Sequence, residues 1–238
     1  MLYNLGVAYY NLKQFDEASQ VLAEAADLDP KPAEPHFRLA LIASERGDRE
    51  NALLEFKHAV ERAPDRAQYH YLQGREYFQA GHYERAAASY QRATELDGRE
   101  PLYFLSLGNA RFHATSYTLA TGAFQQAAAL DPNLPEINFL IGYSLRAQGR
   151  FDEAGASFDR HLAVAPNHVE AQANLGYIAV EQGRFAEAEG HLKKVIAEDP
   201  SHVAATFDLG RARAKQRDYP GAIQLFERVL QLSPDLTQ

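Results

Sequence analysis

A period of 34 residues constrains this chain more than any other feature it has. Residues 175–188 read LGYIAVEQGRFAEA, residues 141–154 IGYSLRAQGRFDEA, residues 73–86 QGREYFQAGHYERA and residues 209–222 LGRARAKQRDYPGA. Frames follow without an insertion at 1–32, 33–66, 67–100, 101–134, 135–168, 169–202 and 203–236. With a period in this range each unit packs only on its neighbours, so the core is a continuous seam. Apolar residues at i, i+3, i+4 and i+7, twice per frame, predict two amphipathic helices of roughly 12–14 residues and no strands.

Loop chemistry agrees with that division. Pro30, Pro64, Pro132, Pro166, Pro200 and Pro234, with Gly98 in the third frame, stop the second helix of each frame. Pro35, Pro101 and Pro135 fit a first helical turn, where the missing N–H would be unpaired anyway. Gly47, Gly81, Gly149 and Gly183 mark the turn between helices, with Asp48, Ser116 and Asp218 as expected N-caps after it.

Recurrent positions carry the packing. Gly6, Gly74, Gly108, Gly142, Gly176 and Gly210 share one column, with Ala40 in the second frame. A glycine inside a helix costs about 1 kcal/mol against alanine, so its recurrence means that a neighbour needs the room. Ala18, Ala52, Ala86, Ala120, Ala154, Ala188 and Ala222 form a second column, and Leu22, Phe56, Tyr90, Phe124, Phe158, Leu192 and Phe226 a column of large partners. The leucine–glycine pair, the aromatics, the alanine and the closing proline resemble the tetratricopeptide repeat family. That resemblance implies an all-α fold: a right-handed α-solenoid superhelix of seven antiparallel helix pairs, a single domain over residues 1–238.

A few positions break the columns: Gln73 replaces leucine or isoleucine, Arg111 and Arg213 replace a bulky residue, His161 replaces alanine or valine, and Arg49 replaces an aromatic. Long side chains that reach solvent over buried stems explain such losses without a site.

The chain carries 24 basic and 32 acidic residues, a formal charge of −8, which opposes nucleic-acid binding. It has no cysteine, and no apolar run long enough to insert in a membrane. Met1 leads directly into repeat sequence, so no secretory leader is expected; this favours the cytoplasm slightly and leaves the periplasm open if the chain belongs to a longer one. None of the nine histidines stands in a metal-binding spacing, no phosphate-loop or nucleophile-elbow string occurs, and the glycines already have a packing role. No catalytic residue, metal site or cofactor is expected.

What remains is the first-helix face, which in the resembled family lines an inner wall that receives a peptide or partner segment. Three columns three or four residues apart share that stripe. They run Tyr3, Phe37, Tyr71, Leu105, Phe139, Ala173, Phe207; then Val7, Leu41, Arg75, Asn109, Tyr143, Tyr177, Arg211; then Tyr10, Ser44, Phe78, Phe112, Arg146, Val180, Ala214. One reading makes these rings ordinary core. The other makes Phe37, Arg38, Tyr71, Arg75, Phe78, Asn109, Phe112, Phe139, Tyr143, Arg146, Asn174, Tyr177, Phe207 and Arg211 the partner-binding wall, because the seam is already complete and rings among arginines have hot-spot composition. Glu34, Glu45, Glu136, Glu170, Glu181 and Asp208 are expected to face the arginines. The two-carboxylate clamp of some family members is not matched: Tyr3, Val7, Arg38, Gln68 and Leu72 stand at the corresponding places.

The expected function is a non-catalytic scaffold that binds a protein or peptide segment. The alternative is the recognition region of a larger protein, such as a glycosyltransferase or a secretion or pilus assembly component. End-to-end self-association through uncapped termini is a third expectation, resting on apolar Ile223, Leu225, Val229 and Leu230 in the last pair. An RNA-reading helical repeat fits neither the period nor the charge.

Overall fold

A computed structural model describes residues 1–234. Among these residues there are fourteen helices and no strand. In chain order they pair as α1 (Leu2–Asn11) with α2 (Phe15–Leu28), α3 (Glu34–Glu45) with α4 (Arg49–Arg62), α5 (Ala67–Gln79) with α6 (Tyr83–Leu96), and α7 (Pro101–His113) with α8 (Tyr117–Leu130). They continue as α9 (Ile137–Ala147) with α10 (Phe151–Val164), α11 (Val169–Glu181) with α12 (Phe185–Glu198), and α13 (Val203–Lys215) with α14 (Tyr219–Leu232). The helices form two compact units, one spanning Met1–Pro132 and the other beginning at Asn133.

Each pair is joined by three residues, and the middle one has positive φ in every repeat. Glycine stands there four times, at Gly47, Gly81, Gly149 and Gly183; Lys13, Thr115 and Arg217 adopt the same left-handed conformation in the other three. The following N–H reaches back to the carbonyl five residues earlier, as from Asp48 to Ala43 (2.9 Å) and from Arg184 to Ala179 (2.8 Å). This is the bonding of a Schellman cap, which satisfies the last carbonyls of one helix and turns the chain directly into the next. At the other end, proline falls two residues beyond the second helix in six repeats and Gly98 does so in the third.

Not every cap follows the sequence expectation. Asp48 and Asp218 do cap, accepting from Asn51 N and Gly221 N, whereas the Ser116 side chain does not. Pro135 lies outside the helix it was expected to begin: Glu136 takes a left-handed conformation (φ 58°) and α9 starts at Ile137. His168 and His202 supply caps that the pattern did not suggest, their Nδ1 atoms accepting from Ala171 N (3.1 Å) and Ala205 N (3.0 Å).

The seam is built from three columns. All seven recurrent alanines are buried, as are Leu22, Phe56, Tyr90, Phe124, Phe158 and Leu192, with Phe226 half-buried. The glycines face these large side chains from the same repeat. A methyl group on Gly108 would stand 2.5 Å from the Phe124 ring, one on Gly142 2.9 Å from Phe158, and one on Gly176 2.5 Å from Leu192. The recurrent glycine thus gives the ring of the second helix a bare stretch of backbone to lie on, and the helix-propensity penalty is offset by that close packing.

Three of the pattern-breaking residues have hydrogen-bonding or ion-pair partners, whereas the Nε2 atom of buried His161 has none. Buried Gln73 accepts a hydrogen bond from Ser89 (3.1 Å). Arg111 donates to Gln91 (2.6 Å), and Arg213 pairs with Glu189 (2.5 Å) and Asp218 (2.6 Å). In the last pair Ile223 and Leu230 are exposed and Leu225 is half-buried, but Val229 is buried, a correction to its expected place on an open face.

Candidate functional site

The first helices carry the candidate wall, and each unit presents its own part of it. In the first unit, Phe37 is corrected from wall to core. It is only 8% exposed, stacks on Tyr69 (4.4 Å between ring centroids) and meets Phe56 edge-on at 6.1 Å. Tyr71 is half-buried beside Tyr103 (4.9 Å) and Tyr90 (5.6 Å). Phe78 lies edge-on to Tyr83 and His113, both at 5.3 Å, and Phe112 lies 5.2 Å from Tyr117. Asn109 is half-buried in α7.

The arginines of this unit are largely engaged. Arg38 places its guanidinium 5.5 Å from the Tyr10 ring. The Arg75 Nη2 atom stands 3.5 Å from both Glu76 Oε1 and Ser44 Oγ, and the Ser44 hydroxyl donates to that same carboxylate oxygen at 2.6 Å. Glu76, only 2% exposed, lies outside the set of residues expected on the wall. A carboxylate so deeply buried needs such donors, because an uncompensated charge in the interior is costly. Beside Arg38, an open hollow of ≈ 370 Å³ is bounded by Tyr3, Tyr69, Tyr103, Arg66 and Gln68.

In the second unit, Phe139 stacks on Tyr143 at 5.9 Å and also touches His161 and His168. Arg146 lies beside two rings, 4.8 Å from the centroid of Tyr143 and 5.0 Å from that of Tyr177. Arg211 holds two acids, Glu181 at 2.6 Å and Asp208 at 2.9 Å, as the charge pattern predicted for those residues. Burial pushes the Asp208 carboxyl up, and Arg211 pulls it part of the way back. Asn174 is a second correction: it is 4% exposed, its amide donates to the Glu170 carbonyl (2.6 Å), and its own oxygen is buried without a partner. Phe207, 46% exposed, is the most open ring of the wall.

These contacts share a spacing that column comparison misses. Phe37 meets Tyr69, Tyr71 meets Tyr103 and Ser44 meets Glu76 at 32 residues; Arg146 meets Tyr177 at 31; Arg211 meets Glu181 at 30. Neighbouring first helices interleave their side chains, ridge into groove, so a wall residue faces a position two to four short of the full period. Pairing the sequence at that offset would have found Glu76 and Tyr103.

Among the described residues, no group of three histidine, aspartate or glutamate side chains could hold a metal ion, and no helix is long and apolar enough to cross a membrane. The wall offers aromatic faces, guanidinium groups and carboxylates, the group types that protein interfaces use.

Comparison with known proteins agrees with this architecture. Family models described as tetratricopeptide repeat match residues 12–76, 71–135, 139–201 and 174–236, nearly the whole chain. No curated protein matches. Among solved structures, the C-terminal part of a TPR repeat-containing protein from Cytophaga hutchinsonii is similar at a TM-score of 0.73 and 15% identity, over 98% of this chain and 95% of that one. MamA from Desulfovibrio magneticus RS-1 is similar at 0.67 and 19% identity, over 71% and 96%. YrrB, described as a TPR protein with an unusual peptide-binding site, is similar at 0.64 and 22% identity, over 76% and 93%.

Proposed function

The chain belongs to the tetratricopeptide repeat family, and from that premise we propose that it is a non-catalytic scaffold whose first-helix wall grips a segment of a partner protein. One observation carries the reading. The seam is filled by its own alanine and large-residue columns, yet Tyr71, Phe78, Phe112, Phe139, Tyr143, Tyr177 and Phe207 all keep part of their surface in solvent. Rings that packing does not consume, set among Arg38, Arg75, Arg146 and Arg211, have the composition of interface hot spots. Asn109 adds an amide to the wall for a partner backbone.

The occupant that fits is a partly apolar segment, extended or helical, whose side chains reach the rings while its polar groups meet guanidinium and amide groups. A single short segment of this kind binds at micromolar strength, about 8 kcal/mol. YrrB, described as a TPR protein with an unusual peptide-binding site, has a similar fold and shows that this architecture can bind a peptide. The test is a pulldown and peptide titration comparing the parent with Tyr71→Ala/Phe78→Ala, with helical content followed by circular dichroism. Partner binding drops at least tenfold with the fold intact; unchanged binding by a folded variant removes the wall assignment.

A further inference from the structure

The repeat at 101–134 differs from the other six in charge. It holds two charged residues, Arg111 and Asp131, where each of the others holds seven or more. The difference is sharpest on the outer side of its second helix. Along α8 the residues exposed to solvent include Leu119, Gly122, Gln125, Gln126, Ala129 and Leu130, and the helix carries no charged side chain. Matching positions carry four charged residues on each of α2, α4, α6, α10 and α12, as Asp152, Glu153, Asp159 and Arg160 do on α10, and two on α14.

A surface helix ordinarily turns charged residues to water. Here two leucines take that place, Leu119 at 56% exposed and Leu130 at 41%. Eleven residues separate them, close to three turns, so they stand on one line about 16–17 Å apart. Gly122 follows Leu119 by one turn on the same side. A methyl group there would meet nothing within 4 Å, unlike one on a seam glycine, so packing inside the chain does not account for it. Gly190, at the matching place on α12, is equally open but sits among Glu187, Lys193 and Lys194.

Charge decides what this face accepts. The chain carries a formal −8, so two copies repel each other wherever their charged surfaces meet. Among the described second helices, α8 alone lets a copy approach its equal without setting charge against charge. The face is also its own complement. A two-fold axis across the middle of α8 sets Leu119 of one copy against Leu130 of the other, and Gly122 lets the backbones close in. A glutamine amide holds donor and acceptor together, so Gln125 and Gln126 can pair with their own kind across the axis.

We propose that the outer face of α8 is the surface through which two copies of this chain associate. The contact uses no residue of the first-helix wall, so each copy keeps its wall open and the dimer presents two. One helix face buries less than the roughly 1,200–2,000 Å² of a stable interface, so the association is weak and follows protein concentration. It is distinct from stacking through the last helix pair, which would use Ile223 and Leu230.

Sedimentation velocity of the full chain from about 5 to about 500 μM, the range that populates a small contact, reads the dimer fraction. A dimer forms across that range. Higher salt leaves it unchanged or strengthens it, because screening lowers the repulsion between two −8 chains. Gln126→Glu and Leu119→Glu each place like charges at the contact and weaken association by about tenfold or more. Both positions are exposed, and circular dichroism checks that the variants stay helical. An equimolar mixture of Gln126→Glu and Gln126→Lys restores the dimer, which damage to the fold by either substitution would not allow. Leu54→Glu, at an exposed leucine on the charged face of α4, changes nothing.

A parent chain that stays monomeric throughout overturns the proposal. So does a dimer that ignores Gln126→Glu and Leu119→Glu, dissociates in high salt, responds equally to Leu54→Glu, or is no stronger in the mixture than with Gln126→Glu alone. Association kept in Gln126→Glu but lost in Ile223→Glu/Leu230→Glu places the contact on the last pair and overturns it as well.

Discussion

The walls of the two units hold their central arginines differently. In the first unit rings meet rings: Tyr71 lies beside Tyr90 and Tyr103, and Phe78 meets edge-on both Tyr83 and His113, which stack on each other. The arginine at the centre of that wall, Arg75, is drawn toward buried Glu76 and Ser44. In the second unit rings meet a cation, with Arg146 beside Tyr143 and Tyr177, and acids gather on the neighbouring Arg211. The seams beneath are the same construction, glycine against a large side chain from the same repeat. A repeat therefore fixes its scaffold within itself, whereas the state of wall side chains such as Tyr71, Arg146 and Arg211 depends also on what an adjacent repeat places 30–32 residues away.

The equivalence of the seams can be broken most directly. Phe124→Ala in the first unit and Phe158→Ala in the second each remove a fully buried ring from a glycine contact, and each costs about 3–5 kcal/mol. Denaturant unfolding gives the totals, and amide hydrogen exchange assigns each loss to its unit. A loss below about 1 kcal/mol in either variant would show that its ring does not carry the seam.

The contrast between the walls predicts a smaller, unequal pair. Ser44→Ala takes the short hydrogen bond from a buried carboxylate and costs about 1–3 kcal/mol. Arg146→Ala removes a partly exposed cation from beside two rings and costs about 1 kcal/mol. Equal losses in denaturant titrations would mean that Glu76 is better supplied with donors than its contacts indicate.

Acid separates the units next. In the second, burial first and His168 second hold His161 below its ordinary value of 6.5, and burial does the same to His191. As pH falls below about 6.5 the unfolded chain takes up these protons before the folded one, so stability held above that pH is lost progressively below it. Hydrogen exchange near neutrality and near pH 5 checks this, with protection in α10–α12 falling. His161→Val, which supplies the residue found at Val195 and Val229, blunts the loss; an undiminished acid response in that variant would take His161 out of the account.

The smallest effect lies in the turns. Thr115 is a β-branched residue at φ 58°, where four repeats place glycine. Relieving the left-handed strain gains about 1–2 kcal/mol and the added chain entropy returns about 0.5–1, so Thr115→Gly stabilises by about 0–1.5 kcal/mol, centred near 0.75. Arg217→Gly gains less, lacking the branched side chain. A lowered midpoint for Thr115→Gly would show that its hydroxyl or methyl group contributes to the turn.

Much of this molecule is readable along the chain, for a local reason. The period, the glycine and alanine columns, the three-residue turns and the stopping prolines all act within one repeat or between adjacent helices, where residues close in space are at fixed and short separations. Pro135 escaped because Glu136 takes a left-handed conformation that delays α9, and nothing in the spacing of repeats announces it. His168 and His202 stand one period apart, but their capping of Ala171 and Ala205 depends on loop geometry.

The wall was half legible. Its residue types are written in the sequence, and Glu181 and Asp208 do meet an arginine as their charges imply. Which side chains stay available is another matter. Phe37 and Asn174 occupy wall columns yet are buried, and Glu76 and Tyr103 lie outside the expected set yet complete the contacts of Arg75 and Tyr71. Sequence alone determined that seven helix pairs form and which small residues let a ring lie on a backbone, since those demands are met inside each 34-residue unit. Only tertiary structure decided which rings and cations face solvent, because interleaved helices set wall side chains such as Tyr71, Arg146 and Arg211 against partners from another repeat, out of step with the period.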